Sequence, residues 1–329
     1  MADIDFALEK QQSRWMPPSR EVLDEFVKFR ERYYTVSSCE EEFATILRGS
    51  RAVISPRDTS TKLLPIILEA KKNRSPFSII RLNDGEGNLI SQMYEGYKAL
   101  YDYCIDKIFV MMFGRESIAR KDLEFIRKLV IDSVGSADAI GLPERSRVLS
   151  SYKNSLSEVD VRGMMGIKSI PHSLFRLSTE KIISLHDKYL VSGWFARELL
   201  EHFESILDSE RIVGYIGCYS DLPKKLCRRF NISEVDFYPI PPQPSNVHIT
   251  SSSQFDHYPK VFSDNVQKIK AKYPGQIFLV SAGLLGKVYC KIIKDSGGIA
   301  IDIGSIADLW MGERVRPWLL KANFDSYVL

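Results

Sequence analysis

Residues 276–305 read QIFLVSAGLLGKVYCKIIKDSGGIAIDIGS: an apolar run, a glycine turn, a helical segment, a second glycine turn and a second apolar run. Two strands joined through a helix lie parallel, because only a crossover returns the chain to the same end of the sheet. Parallel strands are buried on both faces, so helices must cover them. The same alternation recurs upstream. FSIIRL, KIFVMMFG, ADAIGLP, RIVGYIGCYS and VDFYPIP read as strands, separated by helical stretches such as TSTKLLPIILEAKKN, NLISQMYEGYKAL, ESIARKDLEFIRKLVIDSV and LPKKLCRRF. The expected class is α/β, a mostly parallel Rossmann-like sheet flanked by helices. On such sheets ligands collect at the carboxyl ends of the strands. DGEG, GCYS, SAGLLG and DIGS all occupy such ends.

The first sixty residues read as a helical N-terminal extension, with Val22, Phe26 and Phe29 at helical spacing in SREVLDEFVKFRERYY. Residues 61–329 form the catalytic unit, in two sheet-forming halves that meet within 142–178 and are free to share one sheet. Glu144 to Pro171 is rich in Ser, Arg and Gly without a firm period, and reads as a functional or mobile loop. STEKIISLHDKYLVSGWFARELLEHFESIL reads as one or two helices.

With 329 residues and 44% hydrophobic content the chain can bury one large core or two modest ones. A formal charge of +3, with Lys and Arg spread along the sequence, argues against a nucleic-acid partner. Cys39, Cys104, Cys218, Cys227 and Cys290 are scattered without zinc or redox spacing, which fits a reducing cytoplasm. No apolar run approaches the roughly 20 residues of a membrane span, and the N-terminus lacks a signal peptide's apolar centre. The expected location is cytoplasmic, with peripheral attachment at the inner membrane face left open.

In IIRLNDGEG, Asp84 and Glu86 place two like charges where a strand stops. They repel unless water or a cation intervenes; a solvated turn with an acidic helix start is the competing reading. In SAGLLGK, Gly283 and Gly286 either bring backbone N–H groups to a phosphate or ribose, or simply allow a tight turn. The spacing is neither a Walker A motif nor G-x-G-x-x-G. Lys287 is a phosphate partner or a solvated first-turn residue. Asp302, inside an apolar strand, must cap backbone or hold a ligand, and Ser305 closes the same strand end. Asp308, in a loop beside Trp310, is a helix cap or a site carboxylate. His257 is a base, a donor contact or a structural histidine. Gln243 or Asn246 either hydrogen-bonds a sugar or is an ordinary polar residue of a rigid loop, and Trp194 either stacks on a base or sugar or is core. His172, His186, His202 and His248 lack metal-site spacing.

The order strand–RLNDGEG–helix, then strand–SAGLLG–helix–GGIAIDIGS, resembles the GT-D glycosyltransferases, a family first catalogued as a bacterial domain of unknown function. The likeness runs from about Phe77 to Gly312. It implies a GT-D-like fold and a metal-dependent transferase that moves a sugar from a nucleotide-sugar donor, for preference a UDP-sugar. The family's usual setting implies a hydroxyl of a growing cell-surface glycan or glycoconjugate as acceptor. Asp84 and Glu86 would be the Asp-x-Glu element serving Mn2+ or Mg2+ and the diphosphate, with Gly85 allowing the turn between them. Arg81 would be a second cation for the phosphates, or an ion pair with Asp84. Gly283, Gly286, Lys287, Asp302 and Ser305 would surround the donor. Asn83 stands where the family usually carries glycine. After DIG this chain reads SIADLWMG instead of histidine and an acidic cluster, which leaves Asp308 the nearest candidate base and His257 its rival. Two other classes remain: a SAM-dependent methyltransferase, which gives DGE no task, and a non-catalytic nucleotide-binding module.

Overall fold

Strands β1 (Ala52–Ile54), β2 (Phe77–Arg81), β3 (Ala139–Leu142), β4 (Tyr189–Ser192), β5 (Ile212–Gly217), β6 (Glu234–Pro239), β7 (Ile277–Val280) and β8 (Ile299–Asp302) form one sheet in the computed structural model. Their order is β1-β4-β3-β2-β8-β7-β5-β6, and every pairing is parallel. The structure describes residues 18–33, 35–91, 96–114, 118–150, 160–243, 257–315, 318–319 and 324–329. The helices that position the site are α1 (Arg20–Tyr33), α2 (Val36–Arg48), α3 (Leu64–Lys72), α4 (Asp84–Ile90), α5 (Lys98–Phe113), α6 (Arg120–Ser136), α7 (Arg145–Ser150), α8 (Val161–Thr179), α9 (Leu222–Phe230), α10 (Gly286–Asp295) and α11 (Ile306–Trp310).

Side chains alternate between two cores, one on each face of the sheet. Ile80, Phe278 and Ala300 enter the first; Phe77, Ile79, Leu279 and Ile301 enter the second. The apolar runs look continuous because both faces are covered. Crossovers β2→β3 and β7→β8 run one way along the sheet, through α6 and α10, and their Ile126, Val130, Val288 and Ile293 fill the first face. Crossovers β1→β2 and β5→β6 run the other way, through α3 and α9, and their Ile67, Leu222 and Leu226 fill the second. Right-handed connections of opposite direction must cover opposite faces.

The exits follow the same division. After β2 and β7 the chain folds onto the first face, with Leu89, Ile90, Leu284 and Leu285 buried there. After β8 and β5 it folds onto the second, with Ile306, Ala307, Tyr219 and Leu222. Divergent exits from neighbouring strands open a crevice along the carboxyl edge over β2, β8, β7 and β5.

Four local readings change. KIFVMMFG belongs to α5, not to a strand; Leu100 and Cys104 face one cluster and Ile105, Ile108 and Phe109 another, so a helix buried on two sides mimics a strand's apolar run. Gly114, at φ +64, ends it. KYLVS hides β4 inside a stretch read as helical, because four residues are too short to break the surrounding period. Strand β1 lies within the sixty residues assigned to helices. The supposed loop at 144–171 contains α7 and the start of α8, with Pro171 inside α8. Its period was obscured by Gly163 and Gly166, which stand on α8 where apolar side chains would otherwise mark a face.

Ahead of the sheet, α1 buries Val22, Phe26 and Phe29 against Tyr97, Leu100, Cys104, Met164 and Met165. On α2, Glu42 accepts a hydrogen bond from Lys168 Nζ at 2.6 Å and lies 2.8 Å from His172 Nδ1, both residues of α8. None of the five cysteines forms a disulfide.

Candidate functional site

Helix α4 follows the end of β2 and crosses α8 in close backbone approach at Gly87 and Gly166. A Cβ on Gly87 would lie 1.9 Å from Gly166 O, and one on Gly166 would lie 2.0 Å from Asp84 O. Asn88 Nδ2 stitches the crossing by donating to Asp84 O at 2.9 Å and Arg162 O at 2.8 Å. This approach sets the Arg162 guanidinium on Asp84: Nη1 pairs with Oδ2, while Nη2 reaches Asp160 at 3.2 Å. Burial alone would lower the Arg162 pKa, but Asp84 and Asp160 outweigh it and raise it. The ion pair between Arg81 and Asp84 weighed from the sequence does not form; Asp84's counter-ion is Arg162. Sequence reasoning missed Arg162. The available signal was Gly87 in DGEG and Gly166 in VRGMMG, each able to admit the other helix's backbone.

Glu86 turns inward from the same helix. Its Oε2 accepts from Asn83 N at 2.9 Å and its Oε1 from Lys287 Nζ at 2.6 Å. Lys287 also donates to Asp302 Oδ2 at 3.0 Å and Gly283 O at 3.1 Å, which uses all three ammonium protons. Lys287 is 2% exposed, so it is neither a solvated first-turn residue nor open to a phosphate. Burial would lower its pKa, yet Asp302 and Glu86 prevail and hold it above the ordinary lysine value. Asp302, also 2% exposed, accepts the Arg81 backbone N–H at 3.2 Å as well. The buried aspartate thus ties the ends of β2, β8 and β7 together through one lysine.

The Arg81 side chain lies against the turn after β8, where a Cβ on Gly304 would fall 2.5 Å from its Nη2. Gly304 sits at φ +49, and Ser281 Oγ donates to its carbonyl at 2.8 Å. Arg81 Nε is buried without an acceptor. A buried guanidinium N–H without a partner is costly, and an anion at this strand end would supply one. Gly283, at φ +55, faces Gln243 Nε2 and Met112 Sδ, which a Cβ would meet at 3.0 and 3.4 Å. Gln243 Nε2 donates to that sulfur at 3.1 Å. Met112 also covers Gly85, while Gly286 packs on Val280 and Ala282. Asn246 lies outside the described residues.

Asp308, on α11, belongs to the second face, where Oδ1 accepts the Tyr219 hydroxyl at 2.7 Å and the residue is 6% exposed. The loops after β8 and β5 meet through this bond. Tyr219 is pushed far above the usual phenol range by burial and by the Asp308 charge. His257 sits on the first face, among Phe113, Phe262 and Tyr289, with Nε2 3.0 Å from the Tyr289 hydroxyl. Burial lowers its pKa to about 3, so it is a neutral imidazole in an aromatic cluster. Ser305 Oγ accepts from Trp318 Nε1 at 3.2 Å.

A family model described as a GT-D fold-like domain matches residues 59–310. The match spans well over half of the chain, which therefore belongs to this family, with a Rossmann-like all-parallel sheet preceded by helices α1 and α2. No curated protein and no solved structure matches it. Among the described residues no helix is long and apolar enough to cross a membrane.

Proposed function

We propose that this GT-D family member is a glycosyltransferase that moves a sugar from a nucleotide-sugar donor, for preference a UDP-sugar, to a hydroxyl of a glycan or glycoconjugate. What supports the reading most is Arg81: a buried guanidinium N–H without an acceptor, at the carboxyl end of β2, beside the family's acidic motif. A diphosphate there would satisfy it and be held by charge-assisted bonds.

The fit of a divalent cation divides the acidic pair. Asp84 keeps 28% of its side chain exposed, and its Oδ1 has no partner among the described residues. Both Glu86 oxygens are engaged, by Asn83 N–H and Lys287. Among the described residues no group of three or more His, Cys, Asp or Glu is arranged to hold a metal ion. Asp84 therefore fits a cation whose other ligands are phosphate oxygens and water, as is common for Mg2+. Glu86 does not fit as a ligand. A bound cation would neutralise charge gathering on the departing diphosphate.

The chain's own residues do the rest. Arg81 orients the phosphates, Arg162 holds Asp84 in place, and Lys287 fixes the three strand ends. Asp308 stands on the opposite side of the crevice from α4, where a carboxylate can take the proton of an acceptor hydroxyl. His257, enclosed in its aromatic cluster, is left a structural part.

Titration calorimetry with UDP, GDP and SAM, with and without Mn2+, tests the reading. UDP binding that tightens with Mn2+, together with turnover of a UDP-sugar, is the expected result. SAM binding would replace the reading with a methyltransferase. UDP binding without turnover across a broad panel of sugars would reduce the chain to a nucleotide-binding module.

A further inference from the structure

Across the crevice from α4 and beside the second-face core, four residues that follow strands β3, β4 and β8 and two from the C-terminal segment build an aromatic and cationic platform. Trp194 follows β4, Arg147 lies on α7 after β3, and Ser305 follows β8. The rings of Trp194 and Trp318 meet edge to face, their centroids 6.5 Å apart. Trp318 is anchored to the strand end by the bond to Ser305 and packs on Phe324 at 5.3 Å. The Arg147 guanidinium lies 5.8 Å over Trp194, and that of Arg197 lies 5.5 Å from Trp318 and 5.3 Å from Phe324.

Three features separate this cluster from ordinary core. Trp194, Trp318 and Phe324 are half-buried, and both arginines are exposed. The Trp194 indole N–H has no acceptor among the described residues, and the Arg197 guanidinium has no carboxylate partner among them. In sheet order β4-β3-β2-β8, the loops supplying the platform flank β2, which ends in Arg81 and leads into Asp84 on α4. An aromatic ring with a nearby donor suits the apolar face of a pyranose, and an unpaired guanidinium over aromatics suits a carboxylate or phosphate.

We infer that the Trp194–Trp318–Arg197 platform is the acceptor subsite, and that it takes a saccharide carrying an acidic group. The inference rests on the glycosyltransferase reading for the word acceptor, but saccharide binding is measurable without it. Stacking on Trp194 orients the sugar. Arg197 selects the charged one, and Asp308 lies on the same face of the sheet.

The experiment uses methyl glucuronide and methyl glucoside as probes of the whole chain without donor, read by intrinsic fluorescence and saturation-transfer NMR, with UDP affinity measured in parallel. The wild type is expected to bind the glucuronide more tightly. Trp194→Ala should weaken it about tenfold or more, while Trp194→Phe, which keeps a ring to stack on, stays within about threefold of wild type. Arg197→Gln should erase the preference for the acidic sugar. UDP affinity should be unchanged in all three. Equal glucuronide affinity in wild type and Trp194→Ala would overturn the inference, as would UDP binding without binding of either glycoside. Glycoside binding without UDP binding would leave the saccharide site standing and remove the transferase reading instead.

Discussion

Replacing Lys287 with methionine removes a buried ammonium and keeps its aliphatic stem. Glu86 and Asp302, at 4% and 2% exposure, would each lose the ammonium and retain a single backbone N–H donor, from Asn83 and Arg81. Stranding buried carboxylates in this way costs about 3–5 kcal/mol. Urea unfolding at neutral pH, followed by circular dichroism, measures it. Adding Glu86→Gln and Asp302→Asn to Lys287→Met should recover part of the loss, since neutral groups no longer need the counter-charge. The pH dependence has a fixed sign. Because the folded pKa of Lys287 is raised above 10.5, its contribution is complete at all lower pH and is lost only as the pH climbs past 10.5 through the folded value. A Lys287→Met cost below about 1 kcal/mol would refute the account of a buried, essential clasp. So would a stability decline between about pH 7 and 9 in the wild type that the variant lacks.

Asp84→Asn should weaken Mn2+-dependent UDP binding with little change in unfolding midpoint, whereas Glu86→Gln should lower the midpoint and spare UDP affinity; calorimetry and urea titration of both would show whether the two carboxylates exchange these roles. Gly166→Ala drives a Cβ to 2.0 Å from Asp84 O and should cost about 3 kcal/mol or more, so a wild-type melting temperature would remove the close crossing. The lowered pKa of His257 contributes stability that is complete above 6.5 and is lost as the pH falls toward about 3. His257→Phe should flatten that acid limb in urea midpoints taken between about pH 7 and 4, and an unchanged limb would count against it. Asp308→Asn should lower kcat by about a hundredfold with donor affinity nearly unchanged, and full activity would reduce Asp308 to a structural residue.

The sequence carried the parallel sheet because βαβ alternation and glycine turns are local signals, and both DGEG and SAGLLG stand at strand ends in the structure. It could not carry the pairing within the site. Asp84 and Arg162 lie 78 residues apart, and nothing in either stretch names the other; only the two helix-crossing glycines hint at the approach. Lys287 defeated prediction for a different reason. A lysine in a first helical turn is ordinarily solvated, and its burial depends on Glu86 arriving from α4 and Asp302 from β8. Helix α5 was misread because burial on two sides erases the contrast between apolar and polar positions from which period is judged, and β4 because its four residues cannot break the helical period around it.

The family match begins at residue 59, but the folding unit does not. Lys168 is wholly buried, and its counter-charge is Glu42 on α2. Trimming the chain to the shared region would take that carboxylate away from α8, the helix that carries Arg162, and would uncover Tyr97, Leu100, Met164 and Met165 beneath α1. A uncovered apolar patch of this kind invites aggregation. Sequence kinship marks what the relatives hold in common; here it is no guide to where a scissor can pass.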